Sequence, residues 1–556
     1  MTSLDSEDGA PDSMQCRLTE EQIEQLRQYG REEAVSAGEI LVEEGEWDAD
    51  VFVVLEGEVE LYQQRGDEKT TLGTGRPGQI GLLDVLDERP ALGTVVVSEP
   101  GRILRLTPEC LRTVVAETSD LSDLLLRTVL MRQSKMQSRG EVGLQIVGSR
   151  FSEATHRIKG FASRNDLAYT WLDLEDDETA EQVLQRLEVP PDDTPIVILR
   201  GEEVLRRPSN AELARATGVA ACSLPEEVVD LIVVGGGPAG LAASVYGASE
   251  GLSTVCIEEE ALGGRAGTTS KIENYLGFPA GLSGQELARR ARLQARKFGA
   301  RLAVSERATG LHRADGHAVV ELSGDEALAG HAVLIATGAE YRRLPLDRLD
   351  EFEGAGVYYA AREMQAQMCS GEAVVVVGGG NSAGQAALFL SDTAAQVHML
   401  LRSGDLTKSM SRYLVDRVRK ADDVTVHLHT EATELHGDDH LTAVTTENNQ
   451  TGSRSTIETP ALFSFIGATP CTEWLRAPDG SDSPVALGEN GFVLTGDSLP
   501  DTASETTSEH SSHFLETSRP GVFAAGDVRR GSVKRVASAV GEGSMTVKLV
   551  HNYLGS

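Results

Sequence analysis

The sequence predicts a multidomain α/β chain, and three observations carry the prediction. The apolar run Leu231 to Val234 goes straight into Gly235, Gly237 and Gly240; a helix-like stretch, LAASVYGASEG, and a second apolar strand, STVCIEEE, follow. The same order returns in EAVVVVGGGNSAGQAALFLSDTAAQVHMLLRSGD, with glycines at Gly378 and Gly380. Ahead of both, from Gly38, the hydrophobic period shortens to two, with glycine-containing turns at Gly45 and Gly57, the pattern of short strands in a β-roll. Strand, glycine turn, helix and strand with an acid at its end make a Rossmann-like unit, whose glycines let the backbone approach a pyrophosphate at a helix N-terminus. The expected fold class is therefore multidomain α/β: two Rossmann-like nucleotide-binding domains, preceded by a β-roll and a small α/β domain.

A chain of 556 residues exceeds what one hydrophobic core organises. The expected division is a disordered leader over 1–16, the β-roll with flanking helices over 17–139, the small α/β domain over 140–222, and a nucleotide domain split into 223–340 and 460–556 around a second one at 341–459. Net charge is −35, which disfavours nucleic acid and anionic membranes as partners. Apolar runs fall short of the ~20 residues a membrane helix needs. The acidic opening, MTSLDSEDGAPDS, does not read as a secretory signal. The six cysteines stand apart, with neither C-x-x-C nor zinc spacing, so no metal is expected and a reducing cytoplasm is.

Residues 17–27 have apolar positions at helical spacing behind Thr19, with Gln22 at the capping-box position. The stretch GEILVEEGEWDADVFVVLEGEVELY, with helices expected from about Pro108 to Gln137, resembles a cyclic-nucleotide-binding domain. The resemblance implies a Glu after a glycine for the ribose and an Arg before the last strand for the phosphate. Gln79 follows Gly78 instead, Ala91 stands at the Arg position, and Arg89 is out of register. Without that guanidinium the cyclic phosphate loses its bidentate partner, so the expectation is a structural or dimerising β-roll rather than a cyclic-nucleotide site.

From 140 to 222 the order reads β-α-β-α-β-β-α and resembles thioredoxin or glutaredoxin, with Thr194-Pro195 at the family's cis-proline position. The redox dithiol belongs between the first strand and helix. That place reads Gly148-Ser149-Arg150-Phe151-Ser152, and without a thiol no disulfide exchange starts there. An adaptor or docking domain is expected.

From Pro225 to its end the chain resembles a low-molecular-weight thioredoxin reductase. The resemblance rests on Gly235, Gly237, Pro238, Ala239, Gly240 and Glu258; on Gly264-Arg265, with Arg for the family's Gln; on Asn274 within IENYLGFP; on Ala336-Thr337-Gly338; on FSFIGATP, taken as the strand returning to the first nucleotide domain; on Gly526-Asp527; and on Lys534-Arg535 ahead of Val536. It implies bound FAD along these residues, with Glu258 on a ribose diol and a cation near the reduced flavin. It also implies NADPH at Gly378, Gly380, Asn381, Ser382, Ala383, Ile466 and Gly467. Arg402 matches the first residue of an arginine-rich loop for the 2′-phosphate, with Lys408 and Arg412 further on. No acid ends that strand, which favours NADPH over NADH. Hinges between the nucleotide domains are expected at 341–343 and 458–460.

One departure bears on the chemistry. Thioredoxin reductases carry a C-x-x-C just before the second glycine turn. Here Ala360 and Glu363 replace its cysteines, and Cys369 nearby has no partner. Only a thiolate serves that relay. Glu363 is open as a proton donor or as a solvated helix charge, and Arg289, Arg290, Arg292, Arg296 and Lys297 as a docking patch or, more plainly, the exposed face of an amphipathic helix. The expected function is an FAD-dependent NADPH oxidoreductase, a homodimer, with an unidentified acceptor, a small molecule or a redox protein. Two rivals stay open: thioredoxin-disulfide reduction by another thiol route, and a redox or cyclic-nucleotide sensor.

Overall fold

The computed structural model describes residues 16–555 apart from 66–67, 82, 88, 140–143, 200–202, 221–223, 270, 325, 362, 476–484, 489 and 501–513. The expected leader up to residue 15 and most of the polar stretch 496–512 lie outside the described residues; Cys16, placed in the leader, instead pairs with Ile80 in a short strand.

The first helix, Glu20–Leu26, starts at Thr19 through the capping box with Gln22. The long strands Val51–Arg65 and Thr94–Leu106 pair antiparallel. Their alternation sends Val51, Val53, Leu104 and Leu106 into one apolar cluster and Phe52, Val54 and Ile103 into another. Arg31–Val35, REEAV, is also a strand against Gly101–Arg105. It lacks an apolar alternation and is held instead by cross-strand pairs, Glu33 with Arg105 and Glu32 with Arg102. The helices Pro108–Glu117 and Ser119–Arg139 follow, the first capped by Thr107 with Pro108 in its first turn.

The small domain has the strand order Glu203–Arg206, Ile196–Leu199, Leu144–Gly148, Tyr169–Asp173. The last pair is parallel and the others antiparallel. Helices Glu153–Arg164, Glu178–Arg186 and Asn210–Thr217 complete the β-α-β-α-β-β-α order, and the Thr194–Pro195 bond is cis.

The first nucleotide fold orders Arg301–Val304, Thr254–Glu258, Val229–Val234 and Ala327–Ile335 in parallel, with Val522–Ala524 pairing the end of the last. The second orders Val357–Tyr358, Ala461–Ser464, Ala373–Val377, Gln396–Leu401 and Val424–Leu428, all parallel. This corrects two expectations. Ala461–Ser464 does not return to the first fold, and the crossing does not come at residue 460. The strand completes the second sheet, and Thr459 is buried there, its hydroxyl donating to the Ala373 carbonyl at 2.8 Å. The chain crosses back at Ala468–Pro470, which pairs antiparallel with Ala339–Tyr341. A short run buried on both faces reads the same in either sheet, so only the pairing distinguishes them.

The helix Gly284–Lys297 joins three domains, which corrects the exposed-face reading for Arg289 and Arg292, while Arg290 is exposed as expected. Arg289 and Arg292 are buried and reach the same carboxylate, Asp166 of the small domain, at 2.8 and 3.1 Å. Gln285 donates to Asp166 as well, at 2.9 Å. Arg89 of the β-roll donates to the carbonyls of Asn165 and Asp166, and Leu293 packs into the β-roll core. Burial alone would raise the Asp166 pKa; the guanidiniums of Arg292 and Arg289 outweigh it and hold it at about 2.

Candidate functional site: two nucleotide turns and the cleft between them

Val229–Val234 is buried along its length and delivers the chain into the first turn. Gly235 has φ +107°, and a Cβ there would lie 2.5 Å from the Ala336 carbonyl, so glycine is required. At Gly240 a Cβ would sit 1.9 Å from the Gly235 carbonyl oxygen. Gly237 is the N-cap of the helix Pro238–Ser249, without a side-chain cap bond, and a Cβ on it would meet nothing within 4 Å. Open space therefore adjoins the N-terminus of this helix, an arrangement fitted to a pyrophosphate. Ala239 turns its methyl inward, leaving only its backbone for a ligand.

Glu258 ends the second strand. Its Oε2 accepts from Gly236 N at 2.7 Å, and its Oε1 from Glu260 N and Ala261 N. Oε1 is thereby filled, and Oε2 keeps a further lone pair for a ribose hydroxyl. Ala336, Thr337 and Gly338 leave the strand Ala327–Ile335 beside the turn, and Thr337 donates to the Cys471 carbonyl at 2.7 Å.

Opposite lie Gly264 and Arg265. Arg265 donates to the Ala339 carbonyl at 3.2 Å and stands 3.6 Å from Asp527. Lys534 lies over the Phe492 ring and shares this cluster; burial lowers its pKa, while Asp527 opposes the shift. Arg535 is the N-cap of the helix Val536–Leu554. Asn274 lies exposed in the loop between Ile272 and Leu282.

Sequence reasoning missed the brace behind Gly526. Glu542 accepts from Gly526 N at 2.7 Å and pairs with Arg529 at 2.6 Å, both side chains being nearly buried. A Cβ on Gly543 would lie 2.0 Å from the Ala239 carbonyl, so the last helix crosses the glycine helix at closest approach. The signal available was GEG within an apolar helix.

In the second turn Gly378 has φ +138°, and a Cβ there would meet the Phe465 carbonyl at 2.5 Å. Gly380 is the N-cap of Asn381–Leu390, again without a side-chain cap and facing open space. Asn381 accepts from Ser411 N at 2.7 Å, and Ser409 donates to the Gly379 carbonyl at 2.9 Å, so the loop after the second strand is tied to the turn. That loop carries Arg402 and Lys408, both exposed; Ser382 is exposed and Ala383 buried. Ile466 and Gly467 follow the strand Ala461–Ser464 at its C-terminal end, the edge where open α/β sheets bind ligands.

Ala360 lies between the strand Val357–Tyr358 and the helix Glu363–Met368. The Glu363 side chain is outside the described residues. Cys110, Cys256, Cys369 and Cys471 are free thiols among the described residues. Burial pushes Cys369 up to about 11 and Cys256 and Cys471 to about 12. In the small domain, the place of a redox dithiol is filled by Arg150, paired with Asp173 and Asp176. Its Phe151 stacks on His440 of the second nucleotide fold at 5.4 Å. In the β-roll, Ala91 is buried in the core, and Gln79 accepts from Arg76 N.

A family model described as pyridine nucleotide-disulphide oxidoreductase matches residues 229–543, more than half of the chain. The chain belongs to this family. A second model, the cyclic nucleotide-binding domain, matches residues 32–118. Among curated relatives, NADPH-dependent thioredoxin reductase 3 of Arabidopsis thaliana is 31% identical over 60% of this chain, which spans 59% of that protein's length. The thioredoxin reductase of Bacillus subtilis is 31% identical over 59% of this chain and 96% of its own. The thioredoxin reductase of Lactococcus lactis in its FR conformation superposes with a TM-score of 0.52 at 26% identity, covering 59% of this chain and 99% of that one. Pyridine nucleotide-disulphide oxidoreductases of this kind are NAD(P)H-dependent flavoproteins that use FAD and NADPH, and both glycine turns fit those groups.

Proposed function

We propose that the protein is an NADPH-dependent flavin oxidoreductase whose electrons leave to an acceptor other than a protein disulfide. FAD, when bound, supplies the two-electron relay between nicotinamide and acceptor. The chain's own residues hold and bias it: the helix opened by Gly237 takes the pyrophosphate, Glu258 a ribose diol, and Arg265 and Lys534 set positive charge in the cleft. Arg402 and Lys408 take the 2′-phosphate of NADPH at the second turn.

The observation that carries the acceptor assignment is the state of the sulfur. The sequence has no C-x-x-C, and burial holds the Cys369 thiol protonated, at about 11. Exchange requires an accessible thiolate. The names of the relatives favour thioredoxin reduction, so that rival is the one to test. The reading includes a homodimer working in the cytoplasm; among the described residues no helix is long and apolar enough to cross a membrane.

The test is anaerobic stopped-flow mixing with NADPH, then a survey of acceptors. The visible flavin band should bleach, and reoxidation by oxygen or a quinone should outrun reduction of a thioredoxin disulfide. Sustained turnover with thioredoxin that survives Cys369→Ser would overturn the acceptor assignment and leave the NADPH-to-FAD half standing.

A further inference from the structure

We propose that the small domain is a clamp on the flavin: its loop 163–166 supports the first glycine turn from behind and slows the release of FAD. The inference rests on FAD occupying that turn. The helix Glu153–Arg164 has Asn165 as its C-cap, and Asp166 follows at φ +56°, a left-handed residue that stops the helix. Asn165 and Asp166 are both buried, and buried polar groups need partners. Partners for both lie in the first nucleotide fold, on two flanks of its cradle.

One flank is the segment after Glu258. Asn165 Nδ2 donates to the Glu260 carbonyl at 3.1 Å, and Arg164 pairs with the Glu260 carboxylate. The N–H of the same Glu260 donates to Glu258 Oε1 at 3.0 Å. The loop therefore holds, by backbone and by side chain, a residue that orients the acid placed for the ribose.

The other flank is the helix Gly284–Lys297. Gln285 donates to the Ser163 carbonyl at 2.6 Å and to Asp166 at 2.9 Å, and Arg289 and Arg292 reach the same carboxylate. The residue before each of the first two holds the cradle. Gly284 N donates to the Thr269 carbonyl at 2.8 Å, and a Cβ on Gly284 would stand 1.6 Å from the Ala266 carbonyl oxygen. A Cβ on Gly263 would stand 2.5 Å from the Ala288 methyl, and Gly263 N donates to the Gly236 carbonyl at 2.7 Å. Loop and cradle thus share the first two turns of one helix.

A buried carboxylate between guanidiniums adds little net stability over an apolar contact of the same shape; what it adds is register. The register held here is that of Glu258 and of the Gly263–Gly264 segment against the glycine turn. The clamp works from the C-terminal end of its helix, the end away from Ser149–Ser152, so it needs no thiol.

The experiment measures amide hydrogen exchange in the full-length protein with and without FAD, then times FAD release from variants by the rise of flavin fluorescence on dilution. Because coupling is reciprocal, FAD should slow exchange at residues 160–167 as well as at the glycine turn, and leave the strand Glu203–Arg206 unchanged. Asp166→Asn should release FAD about tenfold faster. Arg164→Glu should release it roughly threefold faster, and the exchanged pair Arg164→Glu/Glu260→Arg should return toward the parent rate. Affinity for NADP+ at the second turn should stay that of the parent throughout. Exchange at 160–167 indifferent to FAD, parental release from Asp166→Asn, or equal release from Arg164→Glu and the exchanged pair overturns the clamp. A parent protein that binds no FAD overturns the reading beneath it, and the clamp with it.

Discussion

In the first nucleotide fold the strand after the glycine helix ends in Glu258, whose carboxylate is tied back to Gly236 N. In the second the same strand end carries Arg402, exposed, on a loop pinned to its turn by Ser409 and Asn381. The first turn is backed by the last helix through Gly543 and by the nearly buried Arg529–Glu542 pair. The first fold is also joined to the N-terminal domains through the buried Asp166 cluster, whereas the second meets the small domain where Phe151 stacks on His440. The same turn is thus built into two settings. One is braced on every side, as suits a resident cofactor. The other has its recognition loop in solvent, as suits a nucleotide that comes and goes.

The largest effect that would break this contrast is at the turns themselves. Gly240→Ala would place a methyl 1.9 Å from the Gly235 carbonyl, so the purified protein should be colourless or fail to fold. Gly378→Ala would meet the Phe465 carbonyl at 2.5 Å in the second turn; it should cost NADPH affinity while flavin content matches the parent. Equal loss of flavin in both variants would refute the asymmetry.

Next come the braces. Glu542→Ala strands the nearly buried Arg529 guanidinium and frees Gly526 N; breaking such a pair costs about 3–5 kcal/mol, to be read as denaturant midpoint and flavin release. The Asp166 cluster has its own signature in pH. Because its folded pKa is about 2, below the ordinary carboxylate value, the folded state binds that proton less tightly than the unfolded chain. The stabilisation is full above pH ~4 and falls away as pH drops toward 2, by roughly 2–3 kcal/mol at 1.36 kcal/mol per unit. Asp166→Asn should flatten that part of the stability–pH curve.

At the open turn, Arg402→Glu should weaken NADPH by about 1.5–3 kcal/mol, the worth of a hydrogen bond to a charged group, and leave NADH nearly unchanged. Steady-state KM values for the two nucleotides check it. Equal losses for both would remove Arg402 from 2′-phosphate recognition.

What could be read from the sequence follows the same physics. Both glycine turns were legible because strand, turn and helix are local, even though the carbonyls that Gly235 and Gly378 make room for, Ala336 and Phe465, arrive from far along the chain. The β-α-β-α-β-β-α order of the small domain was legible for the same reason. What escaped was set by partners distant in the chain. REEAV is a strand because Arg102 and Arg105 face it across the sheet. Arg289 and Arg292 are buried because Asp166 arrives from another domain. Ala461–Ser464 is buried throughout, with no alternation, so its pattern could not say which sheet it joins. Glu542 is one acid in an apolar helix until Arg529 and Gly526 are placed beside it.

The smallest effect tests how the open fold is held. Arg417 of the second fold donates to Glu273 of the first at 2.7 Å, both side chains partly exposed at 51% and 30%. Such a pair contributes no more than about 1 kcal/mol, so Arg417→Ala should leave the melting temperature nearly unchanged. It is nonetheless a tie between the two nucleotide folds on the face carrying Asn274, and the ribbon of Ala339–Tyr341 with Ala468–Pro470 is the place for a swing. Releasing it should change the rate of flavin bleaching by NADPH by a few-fold at low salt, with the difference shrinking as salt screens the parent's ion pair. A rate identical to the parent at every ionic strength would mean that the second fold is held by its packing alone, and that its openness lies in the nucleotide loop rather than in the domain.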